Sequence, residues 1–312
     1  MTFTLYDDVR LGFARDSLAG LSVGDALGER CVRGRHPAAA LAAGQLPAPP
    51  WTWTDDTEMA CVLVDLLGTG AAAGRIDRDR LAAGFAARHD PARGYGRGAA
   101  DLLRLVRDGT PWPVAASTAF DGQGSWGNGA AMRVAPLGAY YADSLTRAAG
   151  AAAASAEVTH AHPDGIAGAV AVATAAAFAV RARVGGRRPT PGEVVDATCA
   201  AVDAGSAVHR GLRQARRLIG RPVAIAAEEL GNGSTCAAAD TVPFAIWVAA
   251  RHLDDYPAAI VACVAAGGDV DTIAAITGGV VAGYVGCGGP GGVPDDWLAA
   301  REPLPAWIPR PG

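Results

Sequence analysis

No interval of the chain alternates β-branched and polar residues, and none has the regular strand-and-turn spacing of a β domain. Apolar residues instead recur every three or four positions, as in Leu11, Ala14, Leu18 and Leu21, and again in Met59, Val62, Leu63, Leu66 and Leu67. This rhythm restricts the chain to packed helices, and an all-α fold is expected. Alanine carries much of the 50% hydrophobic share, with 41 glycines beside it and only 6% aromatic residues. Such small side chains favour close helix contacts. No repeat or linker divides the 312 residues, so one domain over 1–312 is expected.

Helices are expected near 78–88, 98–107, 163–184, 191–204, 207–218, 222–230, 243–252, 257–266 and 272–285, several opening with proline at the first helical position. A proline-bearing loop is expected over 36–50, and a non-helical tail over 303–311 that packs Trp307 and Ile308 on the surface. The uncharged runs 165–180 and 272–294 are respectively too short and too interrupted by glycine for membrane spans.

Two acidic clusters stand out. Trp53-Thr54-Asp55-Asp56-Thr57-Glu58-Met59 sets adjacent carboxylates in the first turn of a helix, and Gly267-Gly268-Asp269-Val270-Asp271-Thr272 repeats the chemistry near the other end. Each alone fits ordinary capping, with Thr54, Asp55, Asp269 or Asp271 as N-cap. Adjacent carboxylates near a core repel unless a cation or water screens them. The pairing of two helix starts, each with two carboxylates and a threonine, points to a metal site.

Between them, residues 120–133 form a glycine-punctuated loop running into a helix. It reads either as an anion-binding nest or as a plain turn. In Thr159-His160-Ala161-His162 the histidines do not share a helix face, so one pocket-facing histidine or a satisfied core histidine is expected. The small residues of Gly20-Leu21-Ser22-Val23-Gly24-Asp25-Ala26-Leu27-Gly28 would admit another backbone or a ligand. Six cysteines without metal spacing read as reduced, mostly buried thiols. A net charge of −4 gives no nucleic-acid footprint. The acidic first residues lack a signal-peptide pattern, so a cytoplasmic location is expected.

Five segments in order, Gly24-Asp25-Ala26-Leu27-Gly28, Thr54-Asp55-Asp56-Thr57, residues 127–133, Thr159-His160 and Gly268-Asp269-Val270-Asp271-Thr272, resemble the ADP-ribosylglycohydrolase family. The resemblance implies a compact orthogonal helical domain. It also implies two Mg²⁺ or Mn²⁺ ions held by Thr54, Asp55, Asp56, Asp269, Asp271 and Thr272. Backbone groups of Ser125, Trp126, Gly127, Asn128 and Gly129 would hold the ADP-ribose diphosphate, with Phe120 against adenine and His160 beside the ligand. The reaction implied is hydrolysis of the ADP-ribose glycosidic bond, with Asp55, Asp56 or Asp271 acting on water.

Serine-linkage members place a glutamate beyond their first segment, where this chain has Val32; Glu29 is the nearby substitute candidate. The implied partner is ADP-ribose or an ADP-ribosylated protein or small molecule, and a monomer is expected. A non-catalytic ADP-ribose-binding module is the alternative; a blocker of a transferase has no positive feature in the sequence.

Overall fold

Among the described residues the helical rhythm becomes sixteen α-helices: α1 (Asp7–Cys31), α2 (Ala38–Ala42), α3 (Asp55–Gly68), α4 (Arg78–Arg88), α5 (Arg97–Arg107), α6 (Trp112–Gly122), α7 (Ala135–Tyr140), α8 (Leu145–Glu157), α9 (Pro163–Val184), α10 (Pro191–Cys199), α11 (Ala207–Arg217), α12 (Val223–Leu230), α13 (Ala238–Arg251), α14 (Tyr256–Ala266), α15 (Val270–Val285) and α16 (Asp295–Ala300). The computed structural model describes residues 4–32, 35–69 and 76–308. Among the described residues there is no strand, only three isolated bridges such as Trp51 with Arg301. The chain is therefore all-α, as its periodicity requires.

Helices α9 and α15 run through the core and are apolar nearly all round. Helix α9 has 22 residues and is long and apolar enough to cross a membrane, which corrects the shorter reading of 165–180; its most apolar window is 83% buried inside the protein. It packs against α7, α8, α10, α13 and α15.

Gly20, Gly24 and Gly28 lie four residues apart on one face of α1, and α15 presses on all three. A Cβ on Gly24 would stand 2.2 Å from the Ala274 carbonyl oxygen, and one on Gly28 would stand 2.6 Å from Asp271 Cα. The glycines thus admit a backbone, and that backbone carries the second acidic cluster. Ser17 Oγ donates to the Gly279 carbonyl at 2.8 Å and Tyr256 Oη to the Gly20 carbonyl at 2.6 Å, tying the seam at its far end.

Several boundaries differ from expectation. Helices α2, α6, α8 and α16 have no clear sequence counterpart, and α2 lies inside the stretch read as loop. Helix α10 stops at Cys199 because the chain turns towards Ser206, whose side chain caps α11 by accepting from the His209 N–H. Helix α13 begins at Ala238, so Pro243 lies inside it rather than at its start. The proline ring packs on Gly211 of α11, where a Cβ would come within 2.4 Å of Pro243 Cγ.

The C-terminal tail is also more than surface packing. Ile308 is buried with Leu18, Leu21, Ala60 and Cys61, while Trp307 is half-buried. Upstream of it, Trp51 N–H donates to the Ala300 carbonyl and Glu302 N–H to the Trp51 carbonyl, each at 2.8 Å. Arg93 joins this support through Glu302 at 2.8 and 2.9 Å and through the Trp53 carbonyl at 3.1 Å. Three cysteines are buried and Cys199 is intermediate, but Cys236 and Cys287 are exposed, contrary to the expectation of mostly buried thiols.

Candidate active site

Helix α3 starts where Asp25 reaches across from α1. The Asp25 carboxylate is fully buried and accepts from Thr54 N–H at 2.9 Å, Thr54 Oγ1 at 2.9 Å, Thr57 N–H at 3.1 Å and the Thr57 hydroxyl. These bonds fasten the first turn of α3 and orient Asp55 and Asp56. Thr54 is the N-cap, as its sequence position suggests. Its hydroxyl proton is committed to Asp25, which leaves oxygen lone pairs for other work.

Asp55, Asp56, Asp269, Asp271 and Thr272 line a cavity of about 420 Å³, together with Phe120, Ser125, Trp126, Gly127, Asn128, Gly129 and His160. Two helix N-termini, α3 and α15, therefore present carboxylates to one space. Asp269 is fixed by Asn128, whose side-chain N–H donates to its carboxylate at 2.7 Å and to Thr241 Oγ1 at 3.0 Å. Thr54 is not among the residues that line the cavity.

Electrostatics mark the cluster as uncompensated. Burial, then the charge of Asp25, pushes the Asp55 carboxyl up to about 7. Burial holds Asp56 well above the ordinary range, aided by Asp25, Asp55, Asp271 and Asp269. Burial and then Asp269 do the same to Asp271. Asp25 is raised to about 6 by burial, against the hydrogen bonds that favour its charge.

A divalent cation fits these residues. Asp56 Oδ2 is buried without a hydrogen-bond partner, a costly arrangement unless something positive meets it. Every donor is oxygen, as hard Mg²⁺ or Mn²⁺ prefers. Among the described residues no three acidic, histidine or cysteine side chains form a ready cage. The carboxylates share one cavity lining, with Asp271 close enough to Asp269 for a side-chain hydrogen bond.

Opposite the acids, the glycine loop supplies the other wall. Gly124 has φ of 74°, and a Cβ there would come within 2.7 Å of His162 N, so only glycine fits without strain. Phe120 and Trp126 are partly exposed with ring centroids 4.7 Å apart, forming an aromatic rim. Of the expected backbone donors, Gly127 N–H is already taken by Ser125 Oγ at 3.2 Å and Asn128 N–H by the Cys236 carbonyl at 2.9 Å. The N–H groups of Ser125 and Trp126 are not engaged in this way.

His160 is buried with Nδ1 2.7 Å from Thr159 Oγ1. Burial and the neighbouring Arg133 charge lower it to about 3, so its ring is neutral. Glu29 is not brought to the cavity: its carboxylate pairs with Arg35 at 2.9 Å at the surface end of α1. Glycine at 28 packs directly on Asp271, and one residue further round the helix the side chain points away.

Three contributors escape a reading of the sequence. Asp25 belongs to a small-residue motif whose pattern shows no task for it; the available signal is a lone carboxylate amid small and apolar neighbours, which must find donors if buried. Arg133 is fully buried beside the cavity. Cys236, an exposed residue whose thiol is partly buried, lines the cavity. No periodicity or spacing signals the last two.

A sequence profile of the ADP-ribosylglycohydrolase family matches residues 7–310. The chain is 30% identical to mouse ADP-ribosylhydrolase ARH3 over 333 aligned positions, covering 92% of this chain and 87% of that protein. It is 31% identical to the human ADP-ribosylhydrolase ARH3, over 80% of this chain and 74% of that one, and 32% identical to an uncharacterized protein of Archaeoglobus fulgidus, over 91% and 90%. A solved structure titled ADP-ribosylglycohydrolase-related protein complex shares the fold, with a TM-score of 0.63 at 22% identity over 94% of this chain and 93% of that one. The chain belongs to the ADP-ribosylglycohydrolase family.

Proposed function

We propose that this chain is a divalent-metal-dependent hydrolase of the glycosidic bond between ADP-ribose and an acceptor. The acceptor is a protein arginine or serine, or a small molecule. The observation that carries the reading is the convergence of two carboxylate pairs from α3 and α15 on one cavity with the glycine loop and aromatic rim. Family membership and the ARH3 relatives support the glycosidic chemistry.

Thr54, Asp55, Asp56, Asp269, Asp271 and Thr272 would hold Mg²⁺ or Mn²⁺, which when bound supplies positive charge to orient ribose hydroxyls and water. The rest falls to the chain itself. The rim of Phe120 and Trp126 offers a stacking surface for adenine, and the loop offers N–H groups to the diphosphate. Asp25 and Asn128 hold the acidic side chains in place. One carboxylate among Asp55, Asp56 and Asp271 takes a proton from the attacking water, while the sugar passes through an oxocarbenium-like transition state. Binding that holds the distorted sugar more tightly than the ground state is the differential binding catalysis requires.

The test is ADP-ribose release from arginine-linked and serine-linked peptides with Mg²⁺, Mn²⁺ or chelator. Release from one linkage, abolished by chelator and by the double change Asp55→Ala with Asp56→Ala, is expected. Undiminished turnover in that double variant would sink the metal reading. The outward-facing Glu29 and the valine at position 32 favour one second reading, a non-catalytic ADP-ribose-binding module. Tight ADP-ribose binding without hydrolysis of any linkage would select it.

A further inference from the structure

Arg133 is a fully buried cation with no ion-pair partner among the described residues. Its guanidinium lies over the Phe85 ring at 4.4 Å, and Nη1 has only the Met59 sulfur at 3.5 Å. Nη2 donates to the Ser155 carbonyl at 3.0 Å and to Thr159 Oγ1 at 2.9 Å. Thr159, itself buried, touches His160 Nδ1 at 2.7 Å through the same oxygen.

An arginine can only donate, so Thr159 Oγ1 accepts from Arg133. The hydroxyl has one proton, and among the described residues His160 Nδ1 is the only acceptor offered to it. If Nδ1 carried the hydrogen instead, two donors would converge on one oxygen and the buried hydroxyl proton would have no acceptor. A doubly protonated ring would bring a second buried cation towards Arg133. Only one state satisfies both the Thr159 hydroxyl and His160 Nδ1.

We infer that Arg133, through the Thr159 hydroxyl, fixes His160 as the neutral tautomer with its hydrogen on Nε2, and that this N–H is a donor to an anionic oxygen of the ligand held by the glycine loop. Nε2 lies under that loop: a Cβ would come within 3.5 Å of it at Gly127 and 3.2 Å at Gly129. His160 also lines the cavity. A nitrogen that carries hydrogen has no lone pair for a metal ion or for a proton from water. His160 therefore reads anions, and Arg133 and Thr159, which also border the cavity, are positioning residues for its ring.

The tautomer follows from the protein alone, while the choice of ligand rests on the proposed ADP-ribose reading. The experiment separates them. Long-range ¹H–¹⁵N correlation spectra of ¹⁵N-labelled protein distinguish the two neutral tautomers, with His160 assigned by its loss in His160→Gln. Wild type and Thr159→Ser, which keeps the hydroxyl, should show hydrogen on Nε2 alone. Thr159→Val and Arg133→Met should show Nδ1–H populated.

Calorimetry with ADP-ribose should give about tenfold weaker binding for Thr159→Val and near wild-type binding for Thr159→Ser. Hydrogen on Nδ1 in the wild type overturns the inference even if the other variants do not fold. An unchanged tautomer in folded Arg133→Met removes Arg133 from it, and an unchanged ADP-ribose affinity in a tautomer-shifted Thr159→Val removes the ligand contact. No ADP-ribose binding by the wild type, with hydrogen on Nε2, would instead reject the ADP-ribose reading and leave the tautomer standing.

Discussion

Replacing glycine by alanine at two positions of α1 should produce effects of opposite sign. A helix interior ordinarily gains about 0.5–1 kcal/mol from this change. At Gly12 the new methyl meets nothing within 4 Å, so Gly12→Ala should raise the thermal midpoint by roughly 1–2 °C. At Gly24 the methyl lands 2.2 Å from the Ala274 carbonyl oxygen and 2.7 Å from its carbon. Ordinary contact begins near 3.4 Å, so α1 and α15 must separate by about 1 Å, and neither partner is a side chain that can swing away. Overpacking of this kind costs about 1–3 kcal/mol, more than the propensity gain. Gly24→Ala should therefore lower the midpoint by a few degrees.

Asp271 lies one turn from Ala274, so the same displacement moves it relative to Asp55 and Asp56. A misplacement of about 1 Å can cost on the order of 10²-fold in rate. Thermal unfolding with chelator, a calorimetric Mn²⁺ titration and the hydrolysis assay would be run on both variants. If Gly24→Ala matched Gly12→Ala in midpoint and kept wild-type Mn²⁺ affinity, the glycine seam would not be what spaces the carboxylates.

Asp25→Asn turns an amide N–H towards groups that are all donors; urea unfolding should show a loss of about 2–4 kcal/mol despite relief of like-charge repulsion, with weakened Mn²⁺ binding, and wild-type stability would count against the anchoring role. The raised carboxyls of Asp25, to about 6, and Asp55, to about 7, bind protons in the folded state that the unfolded chain releases near 3.8. Their contribution to metal-free stability is thus fully present below about pH 4 and is lost as pH rises through 6 to 7. His160, lowered to about 3 by burial, works oppositely, adding stability as pH rises from 3 to 6.5. Comparing chelated with Mn²⁺-loaded protein cancels the histidine, so the midpoint gap should widen between pH 5 and 7.5; a gap independent of pH would contradict the coupling. Cys236 is an exposed residue on the cavity wall whose thiol is partly buried, and that burial together with the charges of Asp269 and Asp271 raises it, which should slow maleimide labelling. Peptide mass spectrometry should show further protection by ADP-ribose at Cys236 and no change at Cys287, which lies off the cavity and whose thiol burial raises to about 12, so that it labels slowly throughout.

The helices most legible in the sequence were those with a long apolar stripe or strong punctuation. Helix α9 carries Pro163 at its first position and α4 opens with an Asp77 cap, and both fall where the pattern places them. Short α2 and α16 were hidden because five or six residues give too few turns to establish a period. Pro243 misled because proline at a helix start is the common case, whereas here Gly211 on another helix makes room for it inside α13. The acids that line the cavity were visible through their doubled carboxylates. Asp25, Asn128 and Arg133 act by contacts to residues 22 or more positions away, and no local pattern records such partners.

The seam between α1 and α15 also governs when the site can exist. Residues 20–28 and 271–282 lie some 250 positions apart, so closing them encloses most of the chain in one loop. The first acidic pair is synthesised about two hundred residues before its counterpart. A nascent or truncated chain lacking α15 holds Asp55 and Asp56 with neither the opposing carboxylates nor the helix that presses on Gly24. Under the proposed metal reading, capture of a cation needs both helices together, and any cation that binds native protein but not its fragments draws α15 onto α1.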